Sequence, residues 1–322
     1  MLPASLLALR KNLVDTGLYL GDKSVLDNVH WIRDGRADRL AVKPASVTSE
    51  SSTNSGSRGS SSPPDKSPEL APLSAIVHIS ELDFWLTSDS GYLKPSKIWR
   101  ELANVKPSCT AEQPDPQPVR EDFKTVIKHL REIQSTISKP EFQPGKGFLL
   151  GGGISGQRIK VRHTLFEPLG SEAEGDHESA DEQEAKDGGA EAESQAVNSD
   201  ASDFAIENWP LTHEETRAEL EELQATHRVV PIPAYNIQGN LIKPNAYQRS
   251  LQNALVELHF YLNHWSIAGK QGNPGNDVFT ADIHLIRVIA PPRSSAVVTP
   301  RKRKISLFVD PASTPTKRLR RN

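Results

Sequence analysis

Two segments in the second half of the chain alternate apolar and polar residues, and this pattern limits the possible folds more than any other feature of the sequence. They are "ALVELHFYL", residues 254–262, and "VFTADIHLIRVI", residues 278–289. A period of two indicates strands with one buried face, and the glycine-rich "AGKQGNPGN" between them suits a hairpin. The predicted inward residues are Val256, Leu258, Phe260, Leu262, Phe279, Ala281, Ile283 and Leu285, and the outward ones are Glu257, His259, Tyr261, Thr280, Asp282 and His284.

A two-stranded ribbon is rarely stable alone, so further elements must complete the fold. Residues 75–86 and 157–166 are rich in β-branched and aromatic side chains and are predicted strands. Helices are predicted around residues 6–14 and 123–137, and after a capping-box pair formed by Thr212 and Glu215. Together these elements predict an α+β fold. It is a small, mainly antiparallel β-sheet or partly open barrel with packed helices, interrupted by long disordered segments.

Three segments stand apart from this body by composition. Residues 46–64 are rich in serine and proline, residues 171–203 carry twelve acidic side chains against Lys186, and residues 293–322 carry nine basic side chains against Asp310. Such stretches bury too little apolar surface to offset the entropy of ordering. The predicted organisation is an N-terminal helical segment 1–45, a disordered Ser/Pro-rich linker 46–70, a discontinuous α+β domain 71–170 and 204–290, a disordered acidic insertion 171–203 and a disordered basic tail 291–322.

The chain is expected to be neither secreted nor inserted in a membrane. Its first apolar run is short and is followed, not preceded, by Arg10 and Lys11, unlike a signal peptide. We find no apolar window of about 18 residues that could span a bilayer. A single cysteine, Cys109, cannot form an intramolecular disulfide, which favours a reducing compartment. The formal net charge of −3 combines an acidic insertion and a basic tail with a balanced body.

Two basic clusters in the tail, separated by twelve residues, resemble a bipartite nuclear import signal. The clusters consist of Arg301, Lys302, Arg303 and Lys304, and of Lys317, Arg318, Arg320 and Arg321. We therefore predict a nuclear protein with an import carrier as partner, and the tail could also contact nucleic acid without sequence preference. Each of four residues precedes a proline and is a candidate phosphorylation site: Ser62, Ser67, Thr299 and Thr314.

No motif predicts catalysis or a cofactor. Gly151, Gly153 and Gly156 have the spacing of a dinucleotide fingerprint, but the following residues read as a strand where that motif requires a helix. Cys109 is placed in a proline-rich loop without a histidine that could activate it. The polar hairpin face with Glu257, His259, Asp282 and His284 could be a zinc site or simply a solvated face. Without a ligand spacing, no metal is predicted and enzymatic activity is not expected.

Binding of nucleic acid is the favoured function, since sheets that bind single strands combine stacking aromatics with basic groups. The candidate residues are Tyr235, Tyr247, Tyr261, Trp265, Lys243, Arg249 and Lys270, and a second basic set is Arg158, Lys160 and Arg162. The competing interpretation is that these aromatic residues belong to the core. A second hypothesis is a nuclear scaffold whose acidic insertion contacts basic partners such as histones.

One segment resembles a known group of proteins. "PAYNIQGNLIKPNAYQRSLQNALVELHFYLNHWSI" followed by "DVFTADIHLIRVIAPP" lies between Pro233 and Pro292. It is similar to a segment shared by uncharacterised fungal proteins. The resemblance implies that the segment is a structured unit, and it carries no function, ligand or catalytic residue.

Overall fold

Five strands from distant parts of the sequence close into a small barrel. The computed structural model of the protein describes residues 4–44, 68–97, 99–144, 147–151, 156–170, 202–269 and 274–292. In chain order the strands are β1 (Val29–Asp34), β2 (Ala37–Val42), β3 (Leu73–Ile79), β4 (Ser108–Glu112), β5 (Gln143–Pro144), β6 (Leu149–Gly151), β7 (Gln157–Arg162), β8 (Phe166–Pro168), β9 (His227–Val229), β10 (Ala234–Tyr235), β11 (Leu255–Ile267) and β12 (Asn276–Ala290). The helices are α1 (Ala4–Asp15), α2 (Ser24–Asn28), α3 (Val119–Ser135), α4 (Arg217–Leu223) and α5 (Tyr247–Leu251), with 3-10 turns at Leu102–Asn104, Ile206–Asn208, Glu214–Thr216 and Pro244–Ala246.

The barrel strands are neighbours in the order β3, β4, β7, β12 and β11, and β11 pairs with β3 to close the ring. Neighbouring barrel strands are antiparallel except β7 and β12, which run parallel. If the five barrel strands are numbered 1 to 5 in chain order, their order around the ring is therefore 1-2-3-5-4. This is the Greek-key order of the five-stranded OB-fold barrel. The predicted α+β fold with a mainly antiparallel, partly closed sheet is confirmed.

The predicted hairpin forms, and its inward face is the centre of the core. Val256, Leu258, Phe260 and Leu262 are each at most 1% exposed. The alternation predicted for the second strand is wrong beyond Ile283, because a β-bulge there shifts the register. Leu285 lies opposite the outward-facing His259, and the next residue takes the inward position instead: Ile286 is fully buried. A bulge adds one residue to a strand and reverses the faces that follow.

The N-terminal segment is only partly helical, contrary to the prediction for residues 1–45. After α1 and α2 the chain forms the β1–β2 hairpin, whose second strand pairs with β11 at Arg39 and Asp38. Helix α1 buries Leu6 and Leu13 in a second, smaller core that contains Ile76 of β3. The segment therefore extends the sheet at one edge and covers part of its outer surface.

A buried histidine joins the β1–β2 hairpin to the barrel. His264 is 1% exposed, and its ring nitrogens lie 3.0 Å from a carboxylate oxygen of Asp38 on β2 and 2.9 Å from one of Asp277 on β12. Asp277 also accepts a hydrogen bond from the backbone N–H of Lys139 at 2.8 Å. The ring of His264 on β11 thus contacts a carboxylate on β2 and another on β12, and so joins three strands.

Two helix predictions have different outcomes. The amphipathic helix around residues 123–137 is confirmed as α3, which buries Phe123, Ile127 and Leu130. The predicted capping box is wrong, because the Thr212 hydroxyl donates to Asp89 at 2.7 Å instead of capping a helix. In its place, a 3-10 turn at Glu214–Thr216 leads into the short α4. A long-range carboxylate partner has thus displaced the local cap.

Cys109 and Gly151 both lie in strands. Cys109 is in β4, not in a loop, and its side chain is 1% exposed. Burial raises the pKa of its thiol to about 12, so the reactive thiolate is disfavoured at neutral pH. Gly151 ends β6 opposite Gln157 of β7 and has a φ of 101°. The strand predicted after Gly156 is confirmed as β7, while Gly153 lies outside the described residues.

Several predicted features lie outside the described residues. Most of the Ser/Pro-rich linker, most of the acidic insertion and nearly all of the basic tail are among them. The individual residues concerned are Ser62, Ser67, Lys270, Thr299, Arg301, Lys302, Arg303, Lys304, Thr314, Lys317, Arg318, Arg320 and Arg321. Within the part of the chain that the structure describes, no helix is long and apolar enough to cross a bilayer.

Candidate nucleic-acid interface

A row of side chains on one face crosses the barrel strands β4, β7, β12 and β11. Trp85 lies beside β4, where its backbone N–H donates to the Ser108 carbonyl at 2.7 Å. Ser108 is opposite Arg162 of β7, Arg162 is opposite Asp282 of β12, and Asp282 is opposite Tyr261 of β11. Residues paired across strands project to the same face of a sheet. The row therefore has an aromatic ring at each end and a cation at its centre.

Arg162 is held in place on this face by hydrogen bonds to its neighbours. Its Nε lies 2.6 Å from Asp282 Oδ1, and its Nη2 donates to the Thr280 hydroxyl at 3.0 Å. The other oxygen of Asp282 accepts a hydrogen bond from the Asn263 amide at 2.7 Å. This orientation places the guanidinium 5.9 Å from the centre of the Trp265 ring, within the range of a cation–π contact. Arg162 and Trp265 thus form a preorganised pair of flat groups.

Two further cations on β7 lie near this pair, and they differ in whether a carboxylate already neutralises them. Arg158 forms an ion pair with Asp83 at 3.1 Å, while Lys160 is exposed and forms no ion pair among the described residues. Burial lowers the pKa of the nearby Lys106, and the charge of Arg162 lowers it further. The predicted outward alternation of Arg158, Lys160 and Arg162 matches their exposure pattern, because the intervening Ile159 and Val161 are fully buried.

Two rings of the β11–β12 hairpin extend the aromatic part of the face. Tyr261 and His284 lie with ring centres 4.8 Å apart, and both are accessible to solvent. Burial raises the pKa of the Tyr261 hydroxyl, and burial lowers the pKa of the His284 ring, so both groups are uncharged at neutral pH. Tyr261, Trp265, Arg162 and Lys160 are the four residues that we name the barrel platform.

The structure separates the other residues that the sequence grouped with them. Tyr247 is fully buried and its hydroxyl accepts a hydrogen bond from the Ile232 backbone N–H at 3.1 Å, so its proposed role in stacking is wrong. Tyr235 lies in β10, beside Arg287 at the far end of β12. Lys243 pairs with Asp203, and Arg249 lines the same separate cleft of about 710 Å³ as Lys243. Tyr235, Lys243 and Arg249 therefore do not share a surface with Tyr261 and Trp265, although they are close to them in the sequence.

The polar residues of the hairpin face bind each other. His259 Nε2 lies 2.7 Å from Glu257, which also accepts a hydrogen bond from Arg287 at 3.1 Å. Asp282 is satisfied by Arg162 and Asn263, and His284 packs on Tyr261. Among the described residues, no group of three or more histidine, cysteine or acidic side chains is arranged to hold a metal ion.

Sequence reasoning missed Trp85, which is 53% exposed at one end of the row. The sequence placed it inside a predicted strand over residues 75–86, whereas β3 ends at Ile79 and Trp85 follows in the β3–β4 connection. An aromatic residue far from the hairpin reaches this face only through the pairing of its backbone with Ser108. No local pattern in the sequence indicates that pairing.

Comparison with solved structures finds a similarity to "Single-stranded DNA-binding protein from bacteriophage Enc34, C-terminal truncation". The TM-score is 0.33 and the sequence identity is 8%, over 83% of this chain and 98% of that chain. No protein-family model matches the chain, and no curated protein matches it. A similarity at this score and identity establishes neither a shared fold nor a shared function. What this chain binds is inferred below from its own side chains.

Proposed function

We propose that this protein binds single-stranded nucleic acid on the barrel platform and that it is not an enzyme. The observation that carries the proposal is the Arg162–Trp265 pair, whose flat groups lie 5.9 Å apart on a solvent-facing surface beside Lys160. Bases of a single strand stack on aromatic and guanidinium planes, and lysines near them contact the phosphates. A duplex keeps its bases stacked on one another, so it could not use such planes.

The position of the platform supports the same proposal. In barrels with this strand order, the outer face of the second and third strands and the adjoining loops commonly binds oligonucleotides or oligosaccharides. Here those strands are β4 and β7, and β7 carries Arg162 and Lys160. A fold alone does not define a ligand, so the cations decide between the two. A neutral sugar chain gains little from Lys160, whereas a phosphate backbone gains a charge-assisted contact.

The charges on the platform predict modest affinity with a measurable dependence on salt. Asp282 and Asp83 neutralise Arg162 and Arg158, which leaves Lys160 as the exposed cation of β7 without an ion pair among the described residues. Each phosphate contact made to a single strand contributes about −0.7 to the slope of log K against log salt. A shallow slope is therefore expected for the platform, and a steeper one for the full chain with its basic tail.

Fluorescence anisotropy with a labelled oligothymidylate tests the proposal. In a chain that ends at Pro292, Lys160→Gln is expected to weaken binding and to reduce the salt slope by about 0.7. The matched control is Arg249→Gln, which removes another exposed cation that lies in a different cleft. Equal effects of the two substitutions, or no binding by the chain ending at Pro292, would contradict the proposed platform.

We further propose that the protein acts in the nucleus. The proposal is supported by the two basic clusters in the tail and by the twelve residues that separate them. Replacing Lys302, Arg303, Arg320 and Arg321 by glutamine in a fluorescently tagged full-length chain is expected to shift the protein from nucleus to cytoplasm. Arg158→Gln on the barrel serves as the control. Unchanged nuclear accumulation of the tail variant would refute a role for these clusters in import.

A further inference from the structure

The barrel has a seam where β7 and β12 separate. These parallel strands pair only at Val161 with Ala281 and at Arg162 with Asp282. Towards the start of β7, a different segment takes the place of β12, because the Lys160 backbone N–H donates to the Phe148 carbonyl at 2.6 Å. A cavity of about 230 Å³ lies between this segment and β12. It opens beside the barrel platform.

The walls of this cavity combine an apolar floor with a basic mouth. Its lining residues are Gly147, Phe148, Lys160, Arg162, Phe279, Thr280 and Ala281. Phe148 and Phe279 are only 3% and 5% exposed, whereas Lys160 is exposed at the mouth. Aromatic walls with a few convergent polar groups are typical of small-ligand sites. Such walls suit a flat ring that is attached to an anion.

The volume restricts which ring can enter. A cavity of about 150 Å³ accommodates benzene, and drug-sized ligands occupy roughly 300–1,000 Å³. At about 230 Å³ the seam cavity is large enough for one six-membered ring with its substituents. Among nucleobases, only the pyrimidines have a single ring. Accepting the proposed function, we infer that the seam cavity binds one pyrimidine base of the strand that occupies the barrel platform.

Arg162 connects the cavity to the platform. The same side chain lines the cavity and lies 5.9 Å from the Trp265 ring. If one base stacks on Trp265 and the next base enters the cavity, the guanidinium of Arg162 lies between the two bases. Lys160 is then placed to contact the phosphate of the inserted nucleotide. The arrangement predicts that the strand leaves the platform with one base turned into the seam.

The test compares the affinities of the full chain for thymine, cytosine and adenine homopolymers of equal length. The wild-type chain is expected to prefer the pyrimidine strands by about 10-fold, the lower end of discrimination by an apolar pocket. Thr280→Phe fills the mouth and is expected to reduce the preference below about twofold. Thr280→Val is the matched control, because it also loses the hydrogen bond to Arg162 but adds no bulk, so it should keep the preference.

Each outcome separates this inference from the proposed function. If the wild-type chain binds strands no more tightly than the platform variants do, the proposed function fails. If strands bind but thymine and adenine are equivalent, or Thr280→Phe keeps the preference, the pyrimidine site is refuted and the platform stands. As a measurement that needs no variant, a strand with 5-iodouracil is photocrosslinked to the wild-type chain. Crosslinks at Phe148 or Phe279 support the site, and crosslinks confined to Trp265 and Tyr261 contradict it.

Discussion

Replacing His264 by alanine is expected to lower the free energy of unfolding by about 3–5 kcal/mol, because it removes a buried ring together with the polar partner that two carboxylates share. The substitution leaves the carboxylates of Asp38 and Asp277 without the ring that contacts both. It also removes a ring that packs 4.6 Å from the Phe279 ring. The loss is measured by urea denaturation, followed by tryptophan fluorescence and circular dichroism.

His284→Ala is the matched control on the same hairpin. His284 is exposed, so its replacement is expected to change the free energy of unfolding by no more than about 0.5 kcal/mol. If His264→Ala costs no more than this control, the cluster does not hold the β1–β2 hairpin on the barrel. Asp38→Asn provides a second measure. It weakens the contact of His264 with β2 and the exposed ion pair of Asp38 with Arg33 but leaves the contact with Asp277, so it should cost less than His264→Ala.

Trp265→Ala is expected to weaken the binding of a single-stranded oligonucleotide by about 5- to 150-fold. The range follows from the loss of one stacked base, worth about 1–3 kcal/mol. Tyr261→Ala is expected to act in the same direction, and Trp265→Phe should retain most of the affinity because it keeps a stacking ring. Affinities are measured by fluorescence anisotropy at one fixed salt concentration, since the phosphate contribution varies with salt.

Tyr235→Ala distinguishes the platform from the wider group of aromatic residues in the sequence. Tyr235 lies in β10, away from Trp265, and its replacement is expected to change affinity by less than about twofold. Thermal unfolding of each variant shows whether a lost affinity reflects a lost fold. A folded Trp265→Ala variant that binds as well as the wild type would remove Trp265 from the interface.

The strongest local patterns in the sequence predicted the elements that carry the fold. The alternation through Val256, Leu258 and Phe260 identified β11, because a buried face leaves a period of two in any strand of this kind. The bulge beyond Ile283 was not predictable, since one extra residue changes no local preference. The pairing of β11 with β3 was equally hidden, because it joins strands that are far apart in the sequence.

The candidate site was predictable only in part, for the same reason. Arg158, Lys160 and Arg162 were found because they alternate with buried apolar residues on one strand. Tyr247 was assigned to the surface because a tyrosine in a polar stretch gives no sign of burial, whereas tertiary packing encloses its ring and provides a backbone donor for its hydroxyl. Trp85 and the seam cavity depend on strand pairing across the barrel, which composition and period do not encode.

The closure of the ring by β11 also determines when this protein can fold during its synthesis. The first three barrel strands, β3, β4 and β7, are complete long before Leu255–Ile267 and Asn276–Ala290 leave the ribosome. At about 5–20 residues per second, the interval between the end of β3 and the end of β12 is roughly 10–40 s. Until β11 has emerged, one edge of β3 lacks its partner, and unpaired strand edges promote association with other chains. We therefore expect the incomplete barrel to be more prone to association than the folded protein until its last hairpin has emerged.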